Sequence, residues 1–330
     1  MPISDSQKKI VTILADGEFH SGTELADTLD ISRSAICKQL NQLIEFGLQF
    51  NAVSGKGYRL ESALQLLSDR LIKKHLSAAA QSLIAEMEIH HCIHSTNSYL
   101  VEKSRQTKKT AVVCFAEYQT AGKGRRGREW VSPFGSNIYL SILYQFQQGP
   151  AAISGLSLAV GVAVIRALKD CGVEGVGLKW PNDIFWQGKK LAGILIEVSG
   201  ESSGPCSAVV GLGLNLYLPK EKAKSITQDW VDLSQILIGH PVKIRNRLAA
   251  TLLNHLMPII ANFEQDTLLS YLEEWRKYDC MKGRDVHIFI GQQTFSGTVK
   301  GIDDNGLLLL TDELGNVRAF SSGEVSFSKT

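Results

Sequence analysis

The chain has 330 residues, of which 44% are apolar, and its 35 basic and 33 acidic side chains leave a net charge of only +2. That length suits two or three domains, and so small a net charge does not identify a polyanionic partner. The N-terminus lacks a secretory signal pattern, and the longest apolar run, 153–168, is shorter than the about 20 residues that span a bilayer. The six scattered cysteines form no C-x-x-C pair, which predicts reduced thiols and a cytoplasmic protein.

Residues 1–62 predict a small separate domain. Helical patterns cover about 5–15, 21–29 and 32–46, and Ser21 with Glu24 forms a capping box at the start of the second helix. The short turn at residues 30–31 gives helix-turn-helix spacing. Alternating residues at 50–60, interrupted by glycines, predict a hairpin, so the sequence indicates a winged helix-turn-helix.

The positions of the basic side chains in this domain favour DNA binding, although acidic residues outnumber basic ones there. Cations lie on the outer face of the third helix and on the wing, which contact grooves and phosphates in such folds. A three-helix domain that contacts another protein is the alternative. The candidate DNA-binding residues are Ser32, Arg33, Ser34, Lys38, Lys56 and Arg59.

Residues 63–80 predict a helical linker, and residues 81–279 predict an α+β domain. Strand patterns occur at about 88–93, 111–117, 137–143, 176–179, 183–187, 191–198 and 208–216. Helical patterns follow residue 97 and cover 153–171, 244–263 and 267–278. Because hairpins join most strands and the helices come in blocks, we expect a mixed, largely antiparallel sheet.

A loop at residues 122–130, GKGRRGREW, lies between two predicted strands. Its glycines permit close approach of the backbone to a ligand, and its arginines offer rigid donor forks that suit phosphate or carboxylate. Three of the glycines satisfy G-x-G-x-x-G. A dinucleotide fold requires a helix after that pattern, whereas Pro133 and Gly135 make a helix here improbable, so we expect an anion-binding loop of another kind.

Residues 280–330 predict a small SH3-like β-barrel that covers the central domain or contacts a partner. Short alternating runs are separated by turns that contain glycine and asparagine, at the spacing typical of such barrels.

The loop 122–130, the segment KWPND at 179–183 and the segment KLAGILIE at 190–197 together resemble the biotin–protein ligase family. With the helix-turn-helix and the C-terminal barrel, the whole chain resembles the bifunctional ligase and biotin-operon repressor of bacteria. The resemblance implies that biotin and MgATP form biotinyl-5′-AMP and pyrophosphate. A lysine of the biotin carboxyl carrier protein of acetyl-CoA carboxylase then takes the biotin. The adenylate also acts as corepressor of a homodimer that binds operator DNA.

The resemblance also implies roles for individual residues. The biotin head group is assigned to Ser95, Thr96, Asn97 and Gln119, and the wrapping of biotin and the adenylate phosphate to Lys123, Gly124 and Arg125. Asn182 and Asp183 are expected near ATP and magnesium, with Asp183 as the metal ligand, Asn215 near the adenine and Lys190 by the biotin carboxylate. The same cofactor site is expected to include Trp130, Gly193 and Trp230. Arg125, Arg128, Lys179 and Lys190 would offset the charge that accumulates when a carboxylate attacks a phosphate, with Asp183 as the fifth catalytic candidate.

One departure and three alternatives accompany this interpretation. The family often has arginine where this chain has Lys123. A lipoate–protein ligase would do the same chemistry on another cofactor. A ligand-sensing DNA-binding regulator without ligase activity would bind biotin but not turn over ATP. A ligase whose N-terminal domain no longer binds DNA would lack repression.

Overall fold

The computed structural model describes residues 3–61, 64–107, 109–201, 203–237 and 244–327. The helices are α1 Asp5–Leu14, α2 Gly22–Leu29, α3 Arg33–Glu45, α4 Asp69–His75, α5 Ala78–Leu83, α6 Thr96–Ser104, α7 Leu156–Asp170, α8 Arg245–Asp266 and α9 Leu269–Lys277. The strands are β1 Phe50–Val53, β2 Gly57–Leu60, β3 Glu86–His90, β4 Val112–Ala116, β5 Ile138–Phe146, β6 Val176–Lys179, β7 Asp183–Trp186, β8 Lys189–Gly200, β9 Cys206–Leu214, β10 Asp285–Ile290, β11 Gln293–Ile302, β12 Leu308–Thr311, β13 Val317–Phe320 and β14 Glu324–Phe327.

The N-terminal domain is a winged helix-turn-helix, as predicted. The capping box at Ser21 and Glu24 is formed, and the Ser32 side chain accepts a hydrogen bond from the backbone N–H of Ala35 at the start of α3. Asp30 ends α2 in the left-handed region, with φ 53°, which turns the chain sharply into α3. Strands β1 and β2 pair antiparallel as the wing.

The segment predicted as a linker at residues 63–80 is not a free connection. Helices α4 and α5 pack on α8, and the backbone N–H groups of Ser68 and Ser77 donate to the side chains of Asn246 and Asn254, each at 2.8 Å. The predicted start of this segment, at residues 62–63, lies outside the described residues. We therefore propose that the central domain begins near residue 64 rather than at 81.

The central sheet is mixed and largely antiparallel, as predicted, with the order β3-β4-β5-β9-β8-β7-β6 and one parallel pair, β3 with β4. Side chains alternate between its faces. Phe115 and Ile142 belong to the core that contains α7 and α8, whereas Cys114 and Leu143 pack with Leu100 of α6. The sheet is thus covered by a helical layer on one face and by α6 on the other.

Helix α7 is the centre of the apolar core. The segment Pro150–Asp170 is long and apolar enough to cross a membrane, but 67% of its apolar window is buried inside the fold. A buried core helix passes the same test of length and composition, so this segment is weak evidence for a membrane span.

The C-terminal domain is a five-stranded antiparallel sheet in the order β13-β12-β11-β10-β14. Its last strand, β14, was not predicted as a strand. Several contacts join this domain to the central one; for example, the Trp180 indole donates to the carbonyl of Gly306 at 3.0 Å, and the Arg276 guanidinium donates to Asp304 Oδ1 at 2.7 Å.

The N-terminal domain also packs on the central domain. The rings of Phe46, just after α3, and Tyr118 meet edge to face with centroids 5.3 Å apart. Phe134 of the central domain belongs to the same apolar cluster as the core of the N-terminal domain. The residue that follows Tyr118 is Gln119, so this contact lies beside the predicted ligand site.

A buried ion pair joins Glu117, after β4, to Arg245, the first residue of α8, and both side chains are at most 1% exposed. Arg245 also donates to the carbonyl of Asn137 at 2.8 and 3.0 Å, and Glu117 accepts from the backbone N–H of Leu67 at 2.5 Å. Four segments distant in sequence therefore meet at one charge pair.

Glu117→Gln should destabilise the central domain by about 3–5 kcal/mol, because it leaves the buried Arg245 guanidinium without its counter-charge. Urea unfolding followed by circular dichroism measures this change. Glu221→Gln, which removes one partner of the exposed pair with Lys224, is the control and should change stability by less than about 1 kcal/mol. Equal, small effects of the two substitutions would contradict the structural role of the buried pair.

Candidate functional site

A cavity opens on the side of the central sheet where α6 packs, and the glycine-rich loop and strand β14 form part of its wall. Every residue that the sequence assigned to the small-molecule site lines it: Ser95, Thr96, Asn97, Gln119, Lys123, Gly124, Arg125, Arg128, Trp130, Lys179, Asn182, Asp183, Lys190, Gly193, Asn215 and Trp230. The structure thus brings these residues together, while their individual roles remain predictions.

One end of the cavity is neutral and polar. The backbone N–H and the hydroxyl of Thr96 donate to Gln119 Oε1 at 2.9 and 3.2 Å, and Gln119 Nε2 donates to Ser132 Oγ at 2.9 Å. Ser95 caps α6 through its hydroxyl, which accepts from the Ser98 N–H, so its capping role is confirmed alongside its place in the cavity wall. These side chains are nearly buried. Their burial and their mutual hydrogen bonds restrict the directions in which they can donate to or accept from a ligand.

Asn97 connects the neutral end to β8. Its Nδ2 donates to Glu197 Oε2 at 2.9 Å and to the carbonyl of Leu195 at 3.2 Å, and its Oδ1 lies 2.6 Å from the Ser141 hydroxyl. Lys123 Nζ lies 3.7 Å from the other Glu197 oxygen. Glu197 therefore links the predicted head-group site to the glycine-rich loop.

Glycines on β8 and β9 leave room for these side chains. A Cβ on Gly211 would lie 2.1 Å from Asn97 Oδ1, and one on Gly213 would lie 2.4 Å from the Trp130 ring. Gly193, the register partner of Gly213, approaches the same ring. The Trp130 ring therefore packs directly on the backbone of these glycines, where a larger residue would clash with it. Its indole N–H is buried without a hydrogen-bond partner among the described residues.

The other end of the cavity is charged. Lys179 and Asp183 are register partners across the β6–β7 hairpin, and Lys190 Nζ lies 2.8 Å from Asp183 Oδ1. Burial lowers the pKa of the Lys179 ammonium, and the charge of Asp183 partly opposes that shift. The cavity thus offers cations at one end and neutral hydrogen-bonding groups at the other.

The glycine-rich loop is a compact hairpin rather than the start of a helix, so the prediction that it is not the phosphate loop of a dinucleotide fold is confirmed. The Gly124 N–H donates to the Arg128 carbonyl at 2.7 Å, and the Trp130 N–H donates to the Gly122 carbonyl at 2.8 Å. At the tip, Arg126 and Gly127 both have positive φ, at 55° and 73°.

Arginine side chains hold the loop over the cavity. Arg125 Nη1 donates to Asn182 Oδ1 at 3.0 Å, and Arg128 forms an ion pair with Glu324 of β14. Lys123, where the family often has arginine, uses its backbone in a bridge to Glu129 and keeps its ammonium near Glu197. The backbone bridge at this position does not depend on the side chain, whereas the contact with Glu197 does.

Among the residues of the site that the sequence analysis missed, Ser141, Glu197 and Glu324 make polar contacts with predicted site residues. Ser141 is a polar residue inside an apolar strand, which is a usable signal. Glu197 is part of the segment that carried the resemblance, but nothing marked its carboxylate. Glu324 lies in a domain without a recognisable catalytic cluster, and nothing in its local sequence points to the cavity.

Asp183 fits a magnesium ligand. Its side chain is largely buried, and its Oδ1 forms an ion pair with the Lys190 ammonium at 2.8 Å, so a bound cation would compete with that ammonium for this oxygen. Within the described ranges, no group of three or more His, Cys, Asp or Glu residues is arranged so that it could hold a metal ion. Magnesium is commonly held by one or two carboxylates together with substrate phosphates, and a single aspartate suits that arrangement.

The candidate DNA-binding residues lie on one side of the N-terminal domain. Ser32, Arg33, Ser34 and Lys38 are exposed at the start of α3, and Lys56 is exposed on the wing. Arg59 is half-buried, with its guanidinium 4.7 Å from the centre of the Phe19 ring. The Cys37 thiol and the Tyr58 hydroxyl, 3.0 Å apart, join α3 to the wing.

Comparisons with known proteins match all three domains. The profile of the Biotin/lipoate A/B protein ligase family matches residues 89–215, that of an HTH domain matches 6–59, and that of the Biotin protein ligase C terminal domain matches 283–328. The chain is 39% identical over 318 residues to the bifunctional ligase/repressor BirA of Escherichia coli (strain K12), with 96% of each chain covered. It is 28% identical over 313 residues to BirA of Bacillus subtilis (strain 168), with 93% of this chain and 94% of that one covered.

A solved structure supports the fold. The biotin protein ligase from Aquifex aeolicus in complex with biotin and ATP has a TM-score of 0.62 and 24% identity, and the match covers 75% of this chain and 100% of that one.

Gly211→Ala should weaken biotin binding by at least about tenfold, because the new methyl group displaces Asn97 from its hydrogen bonds. Calorimetric titration of the protein with biotin in the absence of ATP measures the Kd. Gly161→Ala is the control, because its methyl group would meet only the flexible ends of the Leu178 and Ile194 side chains, the nearest atom at 3.1 Å. A wild-type Kd for the Gly211 variant would show that the glycine is not required at this position.

Proposed function

The chain belongs to the family of bifunctional biotin ligase–repressors, and on that premise we propose that it activates biotin with ATP, transfers it to a protein lysine, and represses transcription when the adenylate is bound. The observation that carries this proposal is the single cavity with a neutral polar end and a cationic end. Biotin has a neutral cyclic urea at one end and a carboxylate at the other. ATP brings a chain of phosphates to that carboxylate.

The first step brings two anions together. The biotin carboxylate oxygen attacks the α-phosphorus of ATP, the bond to the β-phosphate oxygen breaks, and pyrophosphate leaves. Arg125, Lys179 and Lys190 offset the charge that accumulates, while the buried position of the reactants fixes their geometry. Magnesium supplies further positive charge to the phosphates when it is bound, and Asp183 is the residue suited to hold it.

The second step requires a reactive intermediate to survive until the acceptor arrives. The neutral amine of the carrier lysine attacks the acyl carbon of biotinyl-5′-AMP, AMP leaves, and the amine loses a proton. Water would hydrolyse the same mixed anhydride. The hairpin formed by the glycine-rich loop covers the cavity and is held there by Asn182 and Glu324, which supports a role in excluding water.

We expect biotin transfer in an assay of the pure protein with MgATP, an apo biotin carboxyl carrier domain and either biotin or lipoate. The mass of the carrier should rise by one biotin, only with ATP and not with lipoate. A lipoate-sized gain would favour the lipoate ligase. Tight biotin binding without any gain in mass would favour the ligand-sensing regulator.

The N-terminal domain is proposed to bind operator DNA of biotin synthesis genes. Removal of residues 1–62 should abolish binding to that promoter DNA, measured by fluorescence anisotropy with biotinyl-5′-AMP present. Because the deletion also exposes Tyr118 and Phe134, the full-length variant Arg33→Ala/Lys38→Ala tests the same surface with the fold intact. It should bind DNA at least about tenfold more weakly. Lys224→Ala, which removes a cation of the central domain, is the control. Unchanged DNA binding by the double variant would contradict the proposal that α3 contacts DNA.

The adenylate-bound form is proposed to be a homodimer that pairs along the free edge of β8. Strand β7 pairs with β8 only as far as Gly193, so the stretch 195–200 has no strand partner on that side among the described residues. Val198 is an exposed apolar side chain there, at 42% exposure. Unpaired strand edges are templates for pairing with another chain.

Val198→Lys should prevent dimerisation by the adenylate, because a two-fold axis would bring like charges together. Analytical ultracentrifugation with biotinyl-5′-AMP measures the change, and adenylate synthesis should persist. Val317→Lys changes an equally exposed strand residue of the C-terminal sheet and serves as control. If the Val198 variant still dimerises, the interface lies elsewhere.

The proposed carrier substrate is the biotin carboxyl carrier protein of acetyl-CoA carboxylase. Both this carrier and operator DNA are cytoplasmic partners in bacteria, and the six cysteines are free thiols in the structure.

A further inference from the structure

The ammonium of Lys179 lies between two aromatic rings. Its Nζ is 4.9 Å from the ring centre of Phe185 on β7 and 5.5 Å from that of Phe327 on β14. The two rings meet edge to face, with centroids 6.2 Å apart. Phe327 comes from the C-terminal domain, so residues of two domains form the surroundings of this one charge.

Lys179 differs from the other cations of the cavity in its partners. Lys190 lies beside Asp183, Arg128 pairs with Glu324, and Arg125 donates to Asn182. Lys179 makes no ion pair or hydrogen bond with any residue that the structure describes, although it lines the same cavity. An ammonium that is largely removed from water and has no anionic neighbour in contact is the one free to receive an anionic ligand.

Aromatic rings suit that task better than a carboxylate. The face of a ring attracts an ammonium without neutralising it, and it does not compete for the ammonium's hydrogen-bond donors. A carboxylate would occupy those donors and would repel an incoming phosphate. The rings therefore restrict where the Lys179 ammonium can lie and leave its donors available to a ligand.

Phe327 is itself fixed. The Arg284 guanidinium lies 4.1 Å from its ring centre, and β14 pairs with β10, where Phe327 is the register partner of Val286. The ring is therefore held by its own domain, independently of Lys179.

We propose that Phe327 is a positioning residue for ATP: with Phe185 it holds the Lys179 ammonium in the cavity, where that ammonium binds the phosphate chain. This inference rests on the proposed ligase function. It assigns to the C-terminal domain a specific part in the first step, through an aromatic side chain that does not itself touch the reacting atoms.

The test is a double-mutant cycle on the full-length protein, with pyrophosphate release as the measure of adenylation. Phe327→Leu should raise the KM for ATP about tenfold, because the ammonium is no longer confined, while the Kd for biotin without ATP stays as in wild type. Phe327→Tyr keeps the ring face and should restore the wild-type KM. In the Lys179→Met background, Phe327→Leu should have no further effect on the KM for ATP.

Phe295→Leu is a matched control. Phe295 is half-buried in the same C-terminal sheet, and the Arg318 guanidinium lies 5.2 Å from its ring centre, but Arg318, unlike Lys179, does not line the cavity. This substitution should leave the KM for ATP unchanged.

Three outcomes would overturn the inference: a KM for ATP in Phe327→Leu equal to that of wild type, an equal rise in Phe295→Leu, or a full additional rise in the Lys179→Met background. Failure of the ligase proposal looks different, because the wild-type protein would then release no pyrophosphate.

Discussion

The buried pair of Glu117 and Arg245 determines where the walls of the cavity lie. Glu117 precedes Gln119 by two residues, and the Arg245 guanidinium donates two hydrogen bonds to the carbonyl of Asn137. The Asn137 side chain in turn accepts from the backbone N–H of Leu216, next to Asn215. Three segments that contribute to the cavity are thus placed by one charge pair and its hydrogen bonds. A buried pair of this kind contributes more to a unique arrangement than to net stability, because the cost of removing both charges from water offsets much of their attraction.

The cavity that results separates two kinds of chemistry along one sheet. Hydroxyl and amide groups on α6 and β5 form a closed hydrogen-bond network that suits a neutral head group. Four strands away, at the edge of the sheet, the β6–β7 hairpin supplies charges. Between them, glycines on β8 and β9 have no side chains on the sheet surface, which leaves space for Trp130 and for a ligand. Under the proposed function, the neutral end would bind the head group of biotin and the charged end would bind the phosphates of ATP. The reacting carboxylate and α-phosphate would then lie between the two ends.

Much of this architecture was predictable because its causes are local in sequence. The caps of α2 and α3, the hairpin turns and the alternation of the strands each depend on residues within a few positions of one another. The glycine-rich loop was also recognisable, because glycines that allow close approach of a ligand and arginines that bind anions occur together in it. Interactions between distant segments could not be predicted in this way. The sequence around Glu117 does not predict its pairing with Arg245, and the sequence around Lys179 does not predict its contact with Phe327. The polar segment at 64–83 likewise does not indicate that it packs on α8. Such pairs depend on the three-dimensional path of the chain, which periodicity does not encode.

The position of β14 has a consequence for the order in which the protein becomes complete during synthesis. The helix-turn-helix domain is synthesised before the central domain, and the buried residues of its apolar cluster are its own apart from Phe134. Strand β14, with Glu324 against the loop and Phe327 against Lys179, is synthesised after the other segments that form the cavity walls. A nascent or prematurely ended chain can therefore carry a folded helix-turn-helix while its cavity still lacks one wall. The proposed protection of the reactive intermediate therefore requires that synthesis has passed β14.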